Sequence, residues 1–386
     1  MNRIGLLIDS LIGGGAERVV LNFYSIFTRL GHDVHIIIIK NEVHHDIAHI
    51  PSSNVHALSE NGILSRTRFV NKLRLARQLR LTVRKIEEDG AKFSFFLSNA
   101  EDMDRISGMA RLPNVYIRYR NCMSKYIESK VGNKGPLKKF IRRWRFTNKF
   151  RRIYRGRNMV TVSLDLKDDI LNKVGVRPKT IKTIYNPFDF GELRRMASEP
   201  ADTPTVPYII YVAKFENRKR HDLLIDAYHK ADVSHKLVLI GDCYTDSDRE
   251  TYRLMLDQIQ RLNLKDRVLI PGFQKNPYPW VRKADLFVMS SDSEGLPTVL
   301  IEALILGTPV VSTDCPTGPG EILTGELKRF LSPPGDPDAL AQNIKRALVS
   351  YPEITEREIL KFDDRFVARQ YMEHCTNDGR SDTGGS

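Results

Sequence analysis

Short blocks of apolar residues alternate with stretches of helical periodicity along most of the chain. Ile4 to Ile8 is a continuous apolar run, a glycine loop follows, and Arg18 to Leu30 repeats apolar residues at helical spacing before Gly31. Val34 to Lys40 is apolar again. An apolar run bounded by turn residues predicts a buried strand and the 3.6-residue period a helix packed on it, so these forty residues predict a βαβ unit. Phe93 to Leu97 and Val115 to Ile117 predict further strands, separated by helical stretches rich in Arg and Lys. A second series follows the Pro-rich segment Ala201 to Pro207: strands at Tyr208 to Val212, Lys236 to Ile240, Arg267 to Ile270, Leu286 to Met289 and Val310 to Ser312, most with a helix-like run behind them.

Strands that alternate with helices pair in parallel, which gives the class α/β with two Rossmann-like doubly wound domains. Ligand crevices of such sheets lie at the carboxyl ends of the strands, so the two domains are expected to face each other across a cleft. The expected boundaries are 1–190 for the first domain, 191–206 for a linker, 207–355 for the second domain, 356–376 for a final helix and 377–386 for a polar, disordered tail.

Composition narrows this picture. With 41% hydrophobic residues in 386 positions the chain can build two cores of ordinary size. No apolar stretch approaches the ~20 residues that span a bilayer, and Asp9 interrupts the first apolar run before a signal-peptide pattern develops, so a cytoplasmic location is expected. Cys122, Cys243, Cys315 and Cys375 are scattered without a C-x-x-C pair, which argues against a disulfide framework and a structural zinc.

The net charge of +13 is local. Between Asn114 and Arg157 stand 15 Lys or Arg and one acid, Glu128, and the rest of the chain is close to neutral. Within that window Leu137, Phe140, Ile141 and Trp144 fall at i, i+3, i+4 and i+7 among Lys138, Lys139, Arg142, Arg143 and Arg145, the pattern of a basic amphipathic helix. Such a helix suits the anionic inner face of a cell membrane. An anionic acceptor, nucleic acid, or a solvated face with no partner are the alternatives, and nucleic acid is not expected.

Two carboxylates stand out in the second half. Pro297 to Leu306 predicts a helix, with Pro at the first helical position and Gly307 as its stop. From Val299 to Leu306 every residue except Glu302 is apolar, so the helix is buried on nearly all sides and Glu302 needs a partner. One turn separates it from Thr298 and the helix start, where free N–H groups attract anions; a ligand bearing hydroxyls and phosphates would satisfy both, and so would a neighbouring backbone group or Arg. Glu294 precedes it by eight positions.

That E-x7-E spacing, with Glu294-Gly295-Leu296-Pro297, Gly307-Thr308-Pro309-Val310-Val311 and Gly318-Pro319-Gly320-Glu321-Ile322, resembles the donor-binding half of the retaining glycosyltransferases of family 4, of the bacterial lipopolysaccharide or capsule type. The resemblance extends to Tyr211-Val212-Ala213-Lys214 with Lys219 and Asp222, to Asn186-Pro187-Phe188-Asp189, and to Gly13-Gly14-Gly15-Ala16-Glu17-Arg18. It covers about residues 1–376, densely after about 183 and thinly between 60 and 160. It implies the GT-B fold, with a last helix near Asp364 to His374 crossing back to the first domain.

The resemblance also implies roles. Glu294, Lys214 and Lys219 would be catalytic: Glu294 on donor-sugar hydroxyls, the two lysines on the diphosphate that gains charge as the glycosidic bond breaks. Lys214 stands where the family usually has Arg, replacing a bidentate fork by a point charge. Glu302 would take the ribose hydroxyls, and Gly14, Gly15, Gly295, Leu296, Pro297 and Thr298 would line the donor site. Arg120 and Asn121 match the subset with Arg-Asn where others carry His and would lie on the acceptor side, a structural salt bridge being the alternative for Arg120. Phe273 is expected either beside the base or, preferably, in the core. The substrates implied are a nucleotide sugar, expected to be UDP-linked, and a lipid-linked or polysaccharide acceptor, joined through an α-glycosidic bond with a hexose or N-acetylhexosamine transferred. No cofactor or metal is expected, because lysines replace the divalent ion, and the D-x-D triplets Asp102–Asp104, Asp246–Asp248 and Asp336–Asp338 suit turns or helix caps. Arg18 breaks the G-x-G-x-x-G pattern after Gly13 and Gly15, which disfavours a dinucleotide cofactor. A nucleotide-sugar epimerase or phosphorylase of similar architecture and a non-catalytic anionic-polymer-binding protein are the rival functions.

Overall fold

The computed structural model describes residues 1–12, 15–44, 47–132 and 135–377. The chain divides into two compact units, one of residues 1–162, 166–187 and 364 onward, the other of residues 163–165 and 188–363. Each is an all-parallel sheet with helices on both faces.

In the first unit the strands are β1 (Arg3–Ile8), β2 (Asp33–Lys40), β3 (Val55–Ser59), β4 (Phe93–Ser98), β5 (Val115–Tyr119), β6 (Asn158–Thr161) and β7 (Thr180–Thr183), in the order β3-β2-β1-β4-β5-β6-β7. The side-chain alternation of each strand splits the core between two faces. Ile4, Leu6, Ile8, Ile36, Ile38, Phe95 and Leu97 pack against the helix Gly15–Arg29 and the closing helix Asp364–Asn377. Leu7, Ile37, Ile39 and Phe96 face the helices Arg68–Ile86 and Glu101–Ala110. The closing helix is anchored by Val367, Ala368 and Tyr371, all fully buried; the Tyr371 ring meets Phe23 edge-on at 5.0 Å, and Asp364 pairs with Arg29.

The second unit has β8 (Tyr208–Val212), β9 (Lys236–Ile240), β10 (Val268–Gly272), β11 (Leu286–Met289), β12 (Val310–Thr313) and β13 (Leu331–Ser332), in the order β10-β9-β8-β11-β12-β13. Both orders reverse direction once, between β1 and β4 and between β8 and β11, and ligand crevices form outside the carboxyl ends of strands at such points.

Several expectations need correction. The first unit ends at Pro187 instead of 190, and the segment expected as a linker is part of the second unit: Phe190–Met196 is a helix capped by the Asp189 side chain and packed against helices Tyr278–Lys283 and Thr298–Ile305. The first helix begins at Gly15, not Arg18. Pro297 is the N-cap, so the Glu302 helix starts at Thr298 and ends at Ile305. Four strands had no sequence signal. β3 and β7 are edge strands with little fully buried surface, and β6 and β13 are four and two residues long. Gly13, Gly14 and the tail after Asn377 lie outside the described residues.

Candidate active site

The second unit gathers its charged residues at the ends of β8 and β11. After β8 the chain passes Lys214 and a short 3-10 turn, Asn217–Lys219, before the helix His221–Ala231. Ser290, just past the end of β11, and Tyr211 pin this turn. Ser290 Oγ donates to the carbonyls of Lys219 (2.9 Å) and Arg220 (2.8 Å), and the Tyr211 hydroxyl, buried in β8, donates to the Lys219 carbonyl at 3.3 Å. Arg220 takes the left-handed conformation (φ 50°), and its guanidinium is held by Asp222 (2.9 Å) and Asp292 (3.0 Å). Such a backbone costs free energy for a non-glycine residue and persists where the surroundings impose it.

Glu294 occupies the loop after β11. Its Oε1 accepts from Lys219 Nζ at 2.7 Å and its Oε2 from Arg218 Nη1 at 3.1 Å, while Arg218 also donates to the Ser293 carbonyl (3.0 Å) and pairs with Glu216 (2.7 Å). The Glu294 and Lys219 side chains are only 9% and 14% exposed. Burial by itself would raise the Glu294 pKa; Lys219 and Arg218 outweigh it and hold the carboxyl below its ordinary value. The carboxylate is therefore charged at neutral pH.

A second loop braces the first. Thr317 Oγ1 donates to the carbonyls of Glu294 and Gly295, both at 2.8 Å, and Glu294 N–H donates to the Pro316 carbonyl at 3.0 Å. The two backbones approach so closely at Gly318 that a Cβ there would lie 2.7 Å from Pro297 Cδ and 3.1 Å from Leu296 Cα, and its φ of 101° is a glycine conformation. Leu296 and Pro297 are buried. On the helix that follows, Leu300, Ile301, Ala303, Leu304 and Ile305 are buried, whereas Thr298 and Glu302 share a half-open stripe one turn apart. The Tyr278 hydroxyl lies 3.5 Å from Glu302 Oε1.

The structure thus joins Glu294 to Lys219 and adds Arg218, which is not among the expected site residues. Lys214 does not share the cluster: its ammonium lies 4.4 Å above the Tyr244 ring and forms no ion pair among the described residues. Phe273 is 63% exposed, so it is not a core aromatic.

In the first unit Arg120 and Asn121 follow β5 and line a cavity at the ends of β4 and β5. Arg120 makes no ion pair among the described residues. The basic helix is Pro136–Tyr154, with Leu137, Phe140, Ile141 and Trp144 exposed by 71, 68, 46 and 59% and Phe150 and Tyr154 buried. The D-x-D aspartates act locally: Asp248 completes a capping box, Asp336 caps the helix Pro337–Val349, Asp102 pairs with Lys72, and Asp104 is buried.

Residues 13–192 match the sequence profile of Glycosyltransferase Family 4, and residues 196–359 that of glycosyl transferases group 1. The chain is a family 4 glycosyltransferase. Its two sheets have the GT-B architecture of solved glycosyltransferases. It is 27% identical, over 97% of this chain and 99% of the relative, to the Campylobacter jejuni N-acetylgalactosamine-N,N'-diacetylbacillosaminyl-diphospho-undecaprenol 4-alpha-N-acetylgalactosaminyltransferase. It is 29% identical to the Escherichia coli lipopolysaccharide 1,6-galactosyltransferase, over 55% of this chain and 58% of that one. The structure of Anabaena Alr3699/HepE in complex with UDP and glucose superposes with a TM-score of 0.73 at 17% identity, covering 98% of this chain and all of the other. In this glycosyltransferase no helix among the described residues is long and apolar enough to cross a membrane.

Proposed function

We propose that this glycosyltransferase moves a hexose or N-acetylhexosamine from a UDP-linked donor to a lipid-linked or surface-polysaccharide acceptor, with retention and an α-linkage. The observation that carries the donor half is the largely buried Lys219–Glu294 pair at the ends of β8 and β11, flanked by the exposed Arg218. Lys219 has three N–H donors and gives one to Glu294, leaving two for phosphate oxygens. Charge that builds on the leaving diphosphate meets a cation already oriented, the arrangement that lowers a barrier most. Lys214 supplies the second cation from its exposed position after β8, so no divalent ion is called for. Glu294 takes hydroxyls of the donor sugar and Glu302 those of the ribose, with Gly295 to Thr298 beside them. The departing phosphate takes the acceptor's proton, and no protein nucleophile is needed.

The acceptor half is supported by the relatives' names, which include a diphospho-undecaprenol-linked glycan and lipopolysaccharide. It is also supported by the exposed apolar edge of the basic helix Pro136–Tyr154, which suits the anionic inner face of the cell membrane, each basic residue contributing ~1 kcal/mol near the headgroups. Arg120 and Asn121 belong to this side. The test is a panel of nucleotide sugars screened by thermal shift, followed by transfer of label from the best donor to a membrane-lipid extract and proton NMR of the product's anomeric centre. Label that stays on the nucleotide as an epimer, or leaves it as sugar phosphate, would favour the rival enzymes. An inverted product would refute retention.

A further inference from the structure

Parallel β4 and β5 are neighbours, so the residues just past their ends, Asn99 and Arg120, come together, and the two-residue period places Arg118 on the same side as Arg120. Here the first unit has a cavity of about 80 Å3, lined by Asn99, Arg118, Arg120 and Asn121 among others. That is room for a few water-sized groups and so for a single tetrahedral oxyanion. Arg118 is 3% exposed. Its Nη1 donates to Asn99 Oδ1 (3.4 Å), its Nη2 to Asn186 Oδ1, and its face lies 5.5 Å from the Phe23 ring; the buried Tyr371 hydroxyl beside it favours its charge, and Nε makes no hydrogen bond. Arg120 Nη1 is also buried without a partner. Neither guanidinium has a carboxylate within ion-pair distance among the described residues, and each disfavours the other's charge.

A buried guanidinium and a half-buried one side by side are costly, because no counter-charge repays their desolvation. The acids lining the same cavity do not supply that counter-charge. Glu101 is already held by Lys149 (2.7 Å) and Arg105 (3.2 Å), and Asp104 accepts from Ser98 Oγ (2.6 Å) and the Tyr154 hydroxyl (3.2 Å). Burial pushes the Asp104 carboxyl up to about 7, so it carries only part of a charge at neutral pH. The cavity is cationic and its donors are preformed.

We propose that this cavity is an oxyanion site that takes a doubly charged phosphoryl group carried by the acceptor, with Arg120 as its open fork and Arg118 as the buried charge behind it. The assignment of the phosphate to the acceptor rests on the glycosyl-transfer function above; the anion site itself does not. A planar guanidinium matches two phosphate oxygens at once, and a second guanidinium matches the second charge.

The experiment titrates the full-length protein by calorimetry with glycerol 1-phosphate, glycerol, geranyl phosphate and UDP, using wild type, Arg120→Ala, Arg120→Lys and Lys219→Ala, each checked by circular dichroism. Glycerol 1-phosphate should bind wild type and glycerol should not. Arg120→Ala should weaken glycerol 1-phosphate at least tenfold, Arg120→Lys should recover part of the loss, and Lys219→Ala should leave it unchanged while weakening UDP. Geranyl phosphate binding more tightly than glycerol 1-phosphate would mark a lipid-borne phosphate, and equal affinities a phosphate on the glycan; both support the site. Undiminished glycerol 1-phosphate binding in Arg120→Ala, or none in wild type, would overturn it. Loss of UDP binding in Arg120→Ala with glycerol 1-phosphate unaffected would give the cavity to the donor and overturn the acceptor assignment. Failure of the donor function would appear separately, as wild type that does not bind UDP.

Discussion

Glu294→Gln should loosen the fold, tighten UDP and slow transfer, a combination that follows from its competition for Lys219. The exchange keeps the shape of the side chain and removes its charge, leaving Lys219, 14% exposed, with a neutral acceptor at 2.7 Å, and Arg218, 46% exposed, with more help from water. Removing one partner of a fully buried pair costs roughly 3–5 kcal/mol, and the retained acceptor and the exposed Arg218 reduce this to about 2 kcal/mol. For a unit of this size that lowers the melting temperature by roughly 4–8 °C in differential scanning fluorimetry. In wild type the pair's contribution holds above the ordinary carboxylate range and fades as pH falls through the depressed pKa of Glu294, so the two proteins should converge in stability in acid. A hydrogen bond to a charged group is worth about 1.5 kcal/mol, and UDP no longer has to share Lys219 with a carboxylate, so its affinity by calorimetry should rise roughly tenfold. Transfer of labelled sugar should fall ~100-fold, because a group placed for the transition state is lost. UDP affinity that drops together with stability would refute the competition and make Glu294 a strut for the Lys219 turn.

Gly318→Ala forces a Cβ to 2.7 Å from Pro297 and a φ of 101° on alanine, so urea denaturation should show a loss of roughly 2–4 kcal/mol; an unchanged midpoint would mean the two loops separate freely. Asp104 has its folded pKa raised to about 7 from an ordinary 3.8, so the folded chain binds the extra proton between those values and stability falls as pH rises through that window. The penalty above pH 7 is at most about 4 kcal/mol, and Asp104→Asn should flatten it; a pH profile that keeps its slope in the variant would place the titration elsewhere. Reversing Arg142, Arg143 and Arg145 to Glu should cut sedimentation with anionic vesicles at least a hundredfold, since three charges at ~1 kcal/mol each are lost before any repulsion is added; unchanged sedimentation would remove this helix from the membrane surface.

Most of this architecture was legible because a parallel sheet buries its strands on both faces. β8, β9 and β11 were continuous apolar runs and fell where expected, residue for residue. The edge strand β7, Thr-Ile-Lys-Thr, offered no such run: one neighbour and half-exposed side chains demand little hydrophobicity. Glu302 was visible for the opposite reason, as one charge in a buried helix. The domain boundary was misplaced because Pro and polar residues mark a surface segment as readily as a flexible one, and Phe190–Met196 is short enough to hide its packing face.

The rest of the site was hidden by what residue types leave unsaid. Arg218, Lys219 and Arg220 are three successive basic residues with three different engagements: Arg218 with Glu294 and Glu216, Lys219 with Glu294, Arg220 with Asp222 and Asp292. The assignment is made by a left-handed residue and by Ser290 one strand away, so no local pattern announces it. Arg118 went unnoticed for a related reason. Among the 15 cations of its window any one is unremarkable, yet Arg118, the single charge within β5, is driven into the interior by the same alternation that buries Tyr116 on one face of the strand and Ile117 on the other. On the proposed readings the positive window would be two things at once: a solvated helix surface whose charges act together on a distant anion, and a strand end whose two arginines act on a single group at contact. Salt separates them, since screening at a Debye length of about 8 Å weakens the first and scarcely touches the second.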